Sequence, residues 1–261
     1  MGRFVVKNAA GGGARWLDVS AERFPGWVAA FALRHGESGS LTVSLADGVA
    51  AFAAEDGALA ECHPPFPESF PVPPQSVGPA AADAGGAAAA AGSPGEIAGL
   101  IAAHARMPRA VGVLLVRLGG YAAGVFTGYP PALADAKVGS RLVHGRSAAG
   151  GWSQQRFARR REKQASEALD AAADTAVAVF GRGPRLDAVV LGGDKRAVAE
   201  LRGDPRLAPY LALATERFLT VPDPKRAVLE GTPRLFTAVR VRITEPFPAG
   251  AGGRHRGRQL P

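Results

Sequence analysis

The 261-residue sequence is short of the residues that most chemistries need. It has a single cysteine, Cys62. One thiol can form neither an internal disulfide nor a cysteine-based zinc site, which excludes a disulfide-framed module and a zinc ribbon. The five histidines are scattered, with no two at metal-ligand spacing. Walker A, His-Glu-x-x-His, Gly-x-Ser-x-Gly and Gly-x-Gly-x-x-Gly signatures are all missing, so no P-loop, zincin, nucleophile-elbow or dinucleotide chemistry is indicated. No uninterrupted apolar run reaches the ~18 residues of a membrane span, and the alanine- and glycine-rich stretch Pro79–Pro94 is too weakly apolar to serve. Residues 1–13 lack an apolar signal core, so a cytoplasmic protein is expected. Lysine is scarce: 26 of the 31 basic residues are arginine.

The remaining composition is that of a globular chain. Apolar residues make up 47% and charged residues 21%, enough for one large domain or two small ones. The 34 glycines and 21 prolines disfavour an all-helical bundle. Basic residues exceed acidic ones by eight. Guanidinium forks suit a phosphate-rich partner. A GC-rich coding bias toward Arg, Ala, Gly and Pro gives the same excess, and clustering of the charges separates the two explanations.

Four regions are expected: a small α/β domain over 1–74, a flexible Pro/Ala/Gly linker over 75–95, a larger domain over 96–248 and a loose basic tail over 249–261 with Arg254, Arg256 and Arg258. In the first, short strands are read at Arg3–Lys7 and Trp16–Val19. A helix follows from Glu22 to His35 with Ser20 as N-cap and Pro25 in its first turn. Strands at Leu41–Leu45 and Val49–Ala54 flank an Asp47-Gly48 turn. The larger domain opens with a short helix around Ile97–Ile101. Strands Ala110–Leu118 and Tyr121–Thr127 meet at Gly119-Gly120, and a third strand covers Asp135–Gly145. A long helix Gln154–Val179, a strand Arg185–Leu191, a Gly192-Gly193 turn and a helix Asp194–Leu201 come next. Leu211–Leu213 and Leu235–Val241 read as extended. The β-β-β-α-β-α-β order is that of a mixed α/β sheet of ribonuclease-H-like type.

One segment stands out. Ser147-Ala148-Ala149-Gly150-Gly151-Trp152 is a small-residue loop that runs into a helix beginning Ser153-Gln154-Gln155-Arg156. Arg156, Arg159, Arg160 and Lys163 recur at i, i+3, i+4 and i+7, one helix face. Four cations near the positive end of a helix repel one another and the dipole. A polyanionic partner such as nucleic acid accounts for that cost, and an ordinary solvated face is the plain alternative. Gln154 does not titrate, so it is no general base, yet it can hold a water or donate to a developing oxyanion.

Gly151-Trp152-Ser153-Gln154 followed by the arginine-rich helix resembles the Gly-x-x-Gln motif of Vms-like release factors (VLRF), especially their actinobacterial branch. These are relatives of the middle domain of the eukaryotic and archaeal peptide-chain release factor, whose tip bears Gly-Gly-Gln. The resemblance covers roughly Ala110–Leu213, and the small N-terminal domain fits the actinobacterial arrangement. It implies a release-factor catalytic domain of ribonuclease-H-like fold and a peptidyl-tRNA hydrolase that frees nascent chains from stalled complexes. The partners implied are the large ribosomal subunit with its 23S rRNA and peptidyl-tRNA, engaged by a monomer without metal or cofactor. Gln154 matches the catalytic glutamine and Gly151 the motif glycine. Gly150, Trp152, Ser153 and Gln155 support the loop, and Arg146, Arg156, Arg159, Arg160 and Lys163 meet RNA phosphates. Trp152 is bulkier than the second glycine of Gly-Gly-Gln. No stop-codon-reading domain is recognised. Two other readings stay open: a nuclease at the tRNA acceptor end using Asp135, Asp187 and Asp194, and a non-enzymatic ribosome-binding protein.

Overall fold

The computed structural model describes residues 14–36, 40–70, 92–117, 119–140 and 153–246, with side chains from 163 onward in the last segment. They form two compact units, divided between Ala102 and Ala103 and again between Ala238 and Val239.

The first unit is a five-stranded antiparallel sheet in the order β1-β10-β4-β3-β2. Its strands are β1 (Ala14–Val19), β2 (Leu41–Ala46), β3 (Val49–Ala54), β4 (Leu59–His63) and β10 (Val239–Thr244), with α1 (Phe24–His35) between β1 and β2. The periodicity of α1 explains its packing: Phe24, Val28 and Phe31 are at most 3% exposed, at i, i+4 and i+7. Each side chain buried this fully contributes about 1.5–3 kcal/mol. The expected N-cap moves. Ser20 closes a turn by accepting the Arg23 N–H at 3.0 Å, and the helix proper starts at Phe24 with Pro25 in its first turn. Pro25 brings no N–H of its own to the unpaired first turn, so its place there is inexpensive.

Two strands of this sheet departed from the sequence reading. β4 was not foreseen, and β10 was assigned to the larger domain as part of an extended Leu235–Val241. Instead β10 lies between β1 and β4, pairing Val241 with Leu17 on one side and with Cys62 on the other. Its alternation Val239, Val241, Ile243 against Arg240 and Arg242 buries the apolar set completely. Ile97 and Ile101, from the helix α2 (Pro94–Ala105), share that core. The 96–248 span therefore divides at both ends: α2 begins in the first unit and β10 returns to it.

The second unit holds a mixed five-stranded sheet in the order β7-β6-β5-β8-β9. Its strands are β5 (Arg109–Arg117), β6 (Gly120–Gly128), β7 (Ala132–Ser140), β8 (Ala188–Gly193) and β9 (Ala214–Leu219). By order of appearance this is 3-2-1-4-5. β6 runs antiparallel to its neighbours, while β8 and β9 run parallel to β5. The ribonuclease-H-like mixed sheet expected from the element order is the one observed. The helices are α3 (Ser153–Arg182), α4 (Lys195–Leu201), α5 (Ala208–Leu211), α6 (Arg226–Glu230) and α7 (Pro233–Phe236). The region after α4 differs from expectation. Leu211 ends a short helix and the strand begins three residues later, while Leu235 lies in α7. Both leucines sit in short helices behind Pro209 and Pro233, which are tolerated in a first helical turn. The third strand starts at Ala132 rather than Asp135, and the segment 141–145 expected to continue it lies outside the described residues, as do Arg3–Lys7, most of the 75–95 linker and the tail.

Candidate functional site

The site is built on one edge of the second sheet. β5, β7 and β8 are mutually parallel, so their C-terminal ends (Arg117, Ser140 and Gly193) come to the same edge. The chain leaves β7 there at Ser140 and re-enters the description at Ser153, the first residue of α3. The end of β7 is fixed by Tyr121, which is 9% exposed and packs against Gly139: a Cβ on that glycine would meet the ring at 2.5 Å. The end of β8 is fixed by Gly193, at φ +102°, where any Cβ would collide with the Val116 carbonyl. Asp194 then turns the chain into α4 by accepting the Arg196 and Ala197 N–H groups at 2.8 and 3.1 Å.

α3 is one continuous helix of 30 residues. At 1.5 Å per residue it is roughly 45 Å long, longer than any strand it covers. Its packed stripe is mostly alanine (Ala168, Ala172, Ala173, Ala176) and ends in Val179 and Phe180, all at most 5% exposed. Small side chains let the helix lie close to the sheet. At 100° per residue, positions 156, 159, 160 and 163 fall roughly opposite that stripe. Lys163 is exposed and only 3.9 Å from Glu167, a loose pair at i,i+4. The first turn contains no acidic residue. The basic stripe therefore occupies the helix end that the macrodipole makes least favourable for it.

Of the residues singled out in the sequence, Ser153, Gln154, Gln155, Arg156, Arg159 and Arg160 lie on the first turns of α3, by backbone, and Lys163 follows within the next turn. Arg146, Gly150, Gly151 and Trp152 lie outside the described residues. The three aspartates of the nuclease reading are not brought together. Asp194 follows the C-terminal end of β8 and Asp187 precedes its N-terminal end, roughly 20 Å away at strand rise. Each has its own structural task. Asp194 caps α4, Asp187 accepts the Ala110 N–H at 2.8 Å, and Asp135 holds Arg182 at 2.8 Å. Among the described residues, no group of His, Cys, Asp or Glu has the arrangement of a metal site.

Sequence reasoning missed one brace beside α3. Arg206 donates to Asp204 at 2.6 Å and also to Asp174 on α3, tying the turn Pro205–Leu207 to the helix. These pairs hold the Asp204 carboxyl below its ordinary range, chiefly through the Arg206 side-chain hydrogen bond. No local pattern links residues 174 and 206, so only the fold could reveal the contact.

The sequence profile of the Actinobacteria/chloroflexi VLRF1 release factor family matches residues 109–242, just over half of the chain. The chain belongs to this family. Three solved structures share features with it at low similarity. An archaeal translation termination factor, aRF1, is 13% identical with a TM-score of 0.34, over 49% of this chain and 36% of that one. A further archaeal protein is 13% identical with a TM-score of 0.30, over 69% and 47%. Pelota of Archaeoglobus fulgidus is 10% identical with a TM-score of 0.25, over 89% and 67%. The chain thus spans about a third to a half of the first two. No curated protein matches the sequence. No helix among the described residues is long and apolar enough to cross a membrane.

Proposed function

We propose that this release factor acts as a peptidyl-tRNA hydrolase on the large ribosomal subunit, freeing nascent chains from stalled complexes. The observation that carries the reading is the start of α3. Ser153 and Gln154 of the Gly151-Trp152-Ser153-Gln154 sequence open α3, the helix that follows β7 in the chain, and the basic positions of that helix recur opposite its packed stripe by helical spacing.

The bond to be broken is the ester joining the peptide to the terminal ribose of tRNA. Water must attack the ester carbonyl, and negative charge builds on its oxygen. Gln154 serves by its amide: the carbonyl oxygen accepts from and orients the water, or the NH₂ donates to the oxyanion. Glycines at 150 and 151 let the backbone enter a narrow space, with Trp152, Ser153 and Gln155 shaping the loop around it. Ribosomal RNA and the tRNA complete the surroundings. Arg146, Arg156, Arg159, Arg160 and Lys163 neutralise phosphates and set orientation rather than read bases. This mechanism calls on no metal, and a monomer suffices.

The test is single-turnover release on 50S–peptidyl-tRNA complexes. Gln154→Ala slows release roughly a hundredfold, the loss of about 3 kcal/mol expected when one positioned transition-state group is removed, while binding holds. Gln155→Ala, about 100° further round the helix, is the matched control and stays near wild type. Products separate the alternatives: intact tRNA with free peptide for a hydrolase, shortened tRNA for a nuclease, neither for a non-enzymatic ribosome-binding protein. Wild-type rates in both variants would refute the assignment.

A further inference from the structure

A second feature of the same unit has no part in that chemistry. A cleft of about 880 Å³ opens beside the middle of α3, walled by α4 and the turn Pro205–Leu207. Its floor is apolar: Val116, Ala168 and Leu201 are nearly fully buried, and Leu169 and Ala197 are partly so. Its rim is acidic. Asp170, Asp194, Glu200 and Asp204 stand around it with two arginines, Arg196 and Arg206. Both arginines are already engaged within the rim or beside it. Arg196 pairs with Glu200 at 3.2 Å, and Arg206 pairs with Asp204 and Asp174. The carboxylates outnumber the guanidiniums by two, and the residual charge lies with Asp170 and Asp194.

In a chain of net charge +8 this is a reversal of sign. A polyphosphate backbone is repelled from such a rim, and an uncharged apolar ligand leaves the carboxylates unanswered. What fits is an apolar stripe flanked by cations. We propose that this cleft is a docking site for a basic amphipathic protein helix. Such a helix seats leucine-like side chains on Val116, Leu169 and Leu201 while its lysines or arginines reach Asp170, Asp194 and Glu200. α4 is seven residues long, so the wall beside it is roughly 10 Å and takes about two turns of a partner helix. On α3 the cleft is lined by Ala165, Ser166, Ala168, Leu169 and Asp170, and Asp170 stands two turns beyond Lys163 on the same side of the helix. This proposal does not depend on the hydrolase reading.

The experiment uses the full chain and a fluorescein-labelled 14-residue Lys/Leu amphipathic helix as probe. Two companion peptides control for charge and pattern: a Glu/Leu peptide of the same pattern, and a scrambled Lys/Leu peptide without an apolar face. The expected result is anisotropy binding of the first alone, with amide shifts confined to residues 119–120, 165–170 and 196–206. Ala197→Trp, which fills the groove, and Asp170→Lys, which reverses an exposed rim charge, each weaken binding at least tenfold. Asp170→Lys keeps the test valid should Ala197→Trp fail to fold. Equal binding of the scrambled peptide, unchanged binding to Asp170→Lys, shifts at the same amides from a single-stranded RNA oligomer, or self-association through this cleft in sedimentation would each overturn the proposal.

Discussion

Replacing Arg159 and Arg160 with alanine gives opposite signs for binding and for stability, and the sizes follow from the helix. Positions 156, 159, 160 and 163 span seven residues of α3, roughly 10 Å along the axis. On the proposed reading the four cations meet one short stretch of RNA, one phosphate each. Each phosphate neutralised contributes about 0.7–0.9 to the slope of log affinity against log salt, so four contacts give about 2.8–3.6. Raising salt fourfold, from about 50 to 200 mM, then weakens wild-type binding about 50- to 150-fold, while two remaining contacts lose only about 7- to 12-fold. Stability moves the other way. The double variant removes like-charge neighbours at the positive helix end and installs the best helix former, so it is unchanged or more stable by a few tenths to about 1 kcal/mol. The assay is filter binding to 50S subunits across a salt series at fixed magnesium, beside thermal melts of both proteins. An unchanged salt slope removes this face from the interface. A shallower slope with marked loss of stability shows instead that the stripe was structural.

Four further outcomes test the fold. Gly193→Ala forces a side chain into φ +102° and against the Val116 carbonyl, so it destabilises the second unit by about 2–5 kcal/mol in denaturant titration, and a wild-type midpoint contradicts the geometry. Phe236→Ala removes a ring that is 1% exposed and edge-on to Phe126 at 5.7 Å, costing about 3–5 kcal/mol by the same titration. Cys62 is fully buried, with its thiol pKa pushed far up chiefly by desolvation, so it resists alkylation in the native state and reacts only on unfolding of the first unit. Asp56 accepts from the Ala58 N–H and pairs with His35 at 2.9 Å, which together hold its carboxyl below the ordinary 3.8. A depressed carboxylate stabilises above its unfolded pKa and loses that contribution as the pH falls through its folded one, so Asp56→Asn lowers the melting temperature at pH 7 and converges with wild type toward pH 3. A constant gap between the two melting curves over that range contradicts the linkage.

The sequence by itself determined whatever depends on neighbours along the chain. The apolar 3.6-residue spacing of Phe24, Val28 and Phe31 announces α1, the Gly119-Gly120 turn announces the β5–β6 hairpin, and the run from Gln154 announces α3 with its basic stripe, because periodicity and turn chemistry act over a few residues. The mixed sheet was legible from element order for a related reason: a strand, a covering helix and a parallel strand have one usual way to connect. The candidate loop is read from its small residues and the glutamine that follows them, and residues 141–152 lie outside the described residues.

Tertiary structure alone decided which strand pairs with which across long gaps. The sequence reads Leu235–Val241 only as extended, and nothing in Val239–Thr244 says that its partners are Leu17 and Cys62 rather than a strand of the second unit. Likewise Asp135, Asp187 and Asp194 look alike in sequence as strand-end carboxylates. Their separation comes from the direction of β8, which sets Asp187 and Asp194 at opposite ends, and from three different partners. The Arg206 brace and the acidic cleft beside α3 belong to the same class. Local pattern fixes which face of an element is apolar, since that is a property of consecutive residues. The choice of what covers that face minimises exposed apolar area over the whole chain at once, and residues more than a hundred positions apart enter that choice on equal terms.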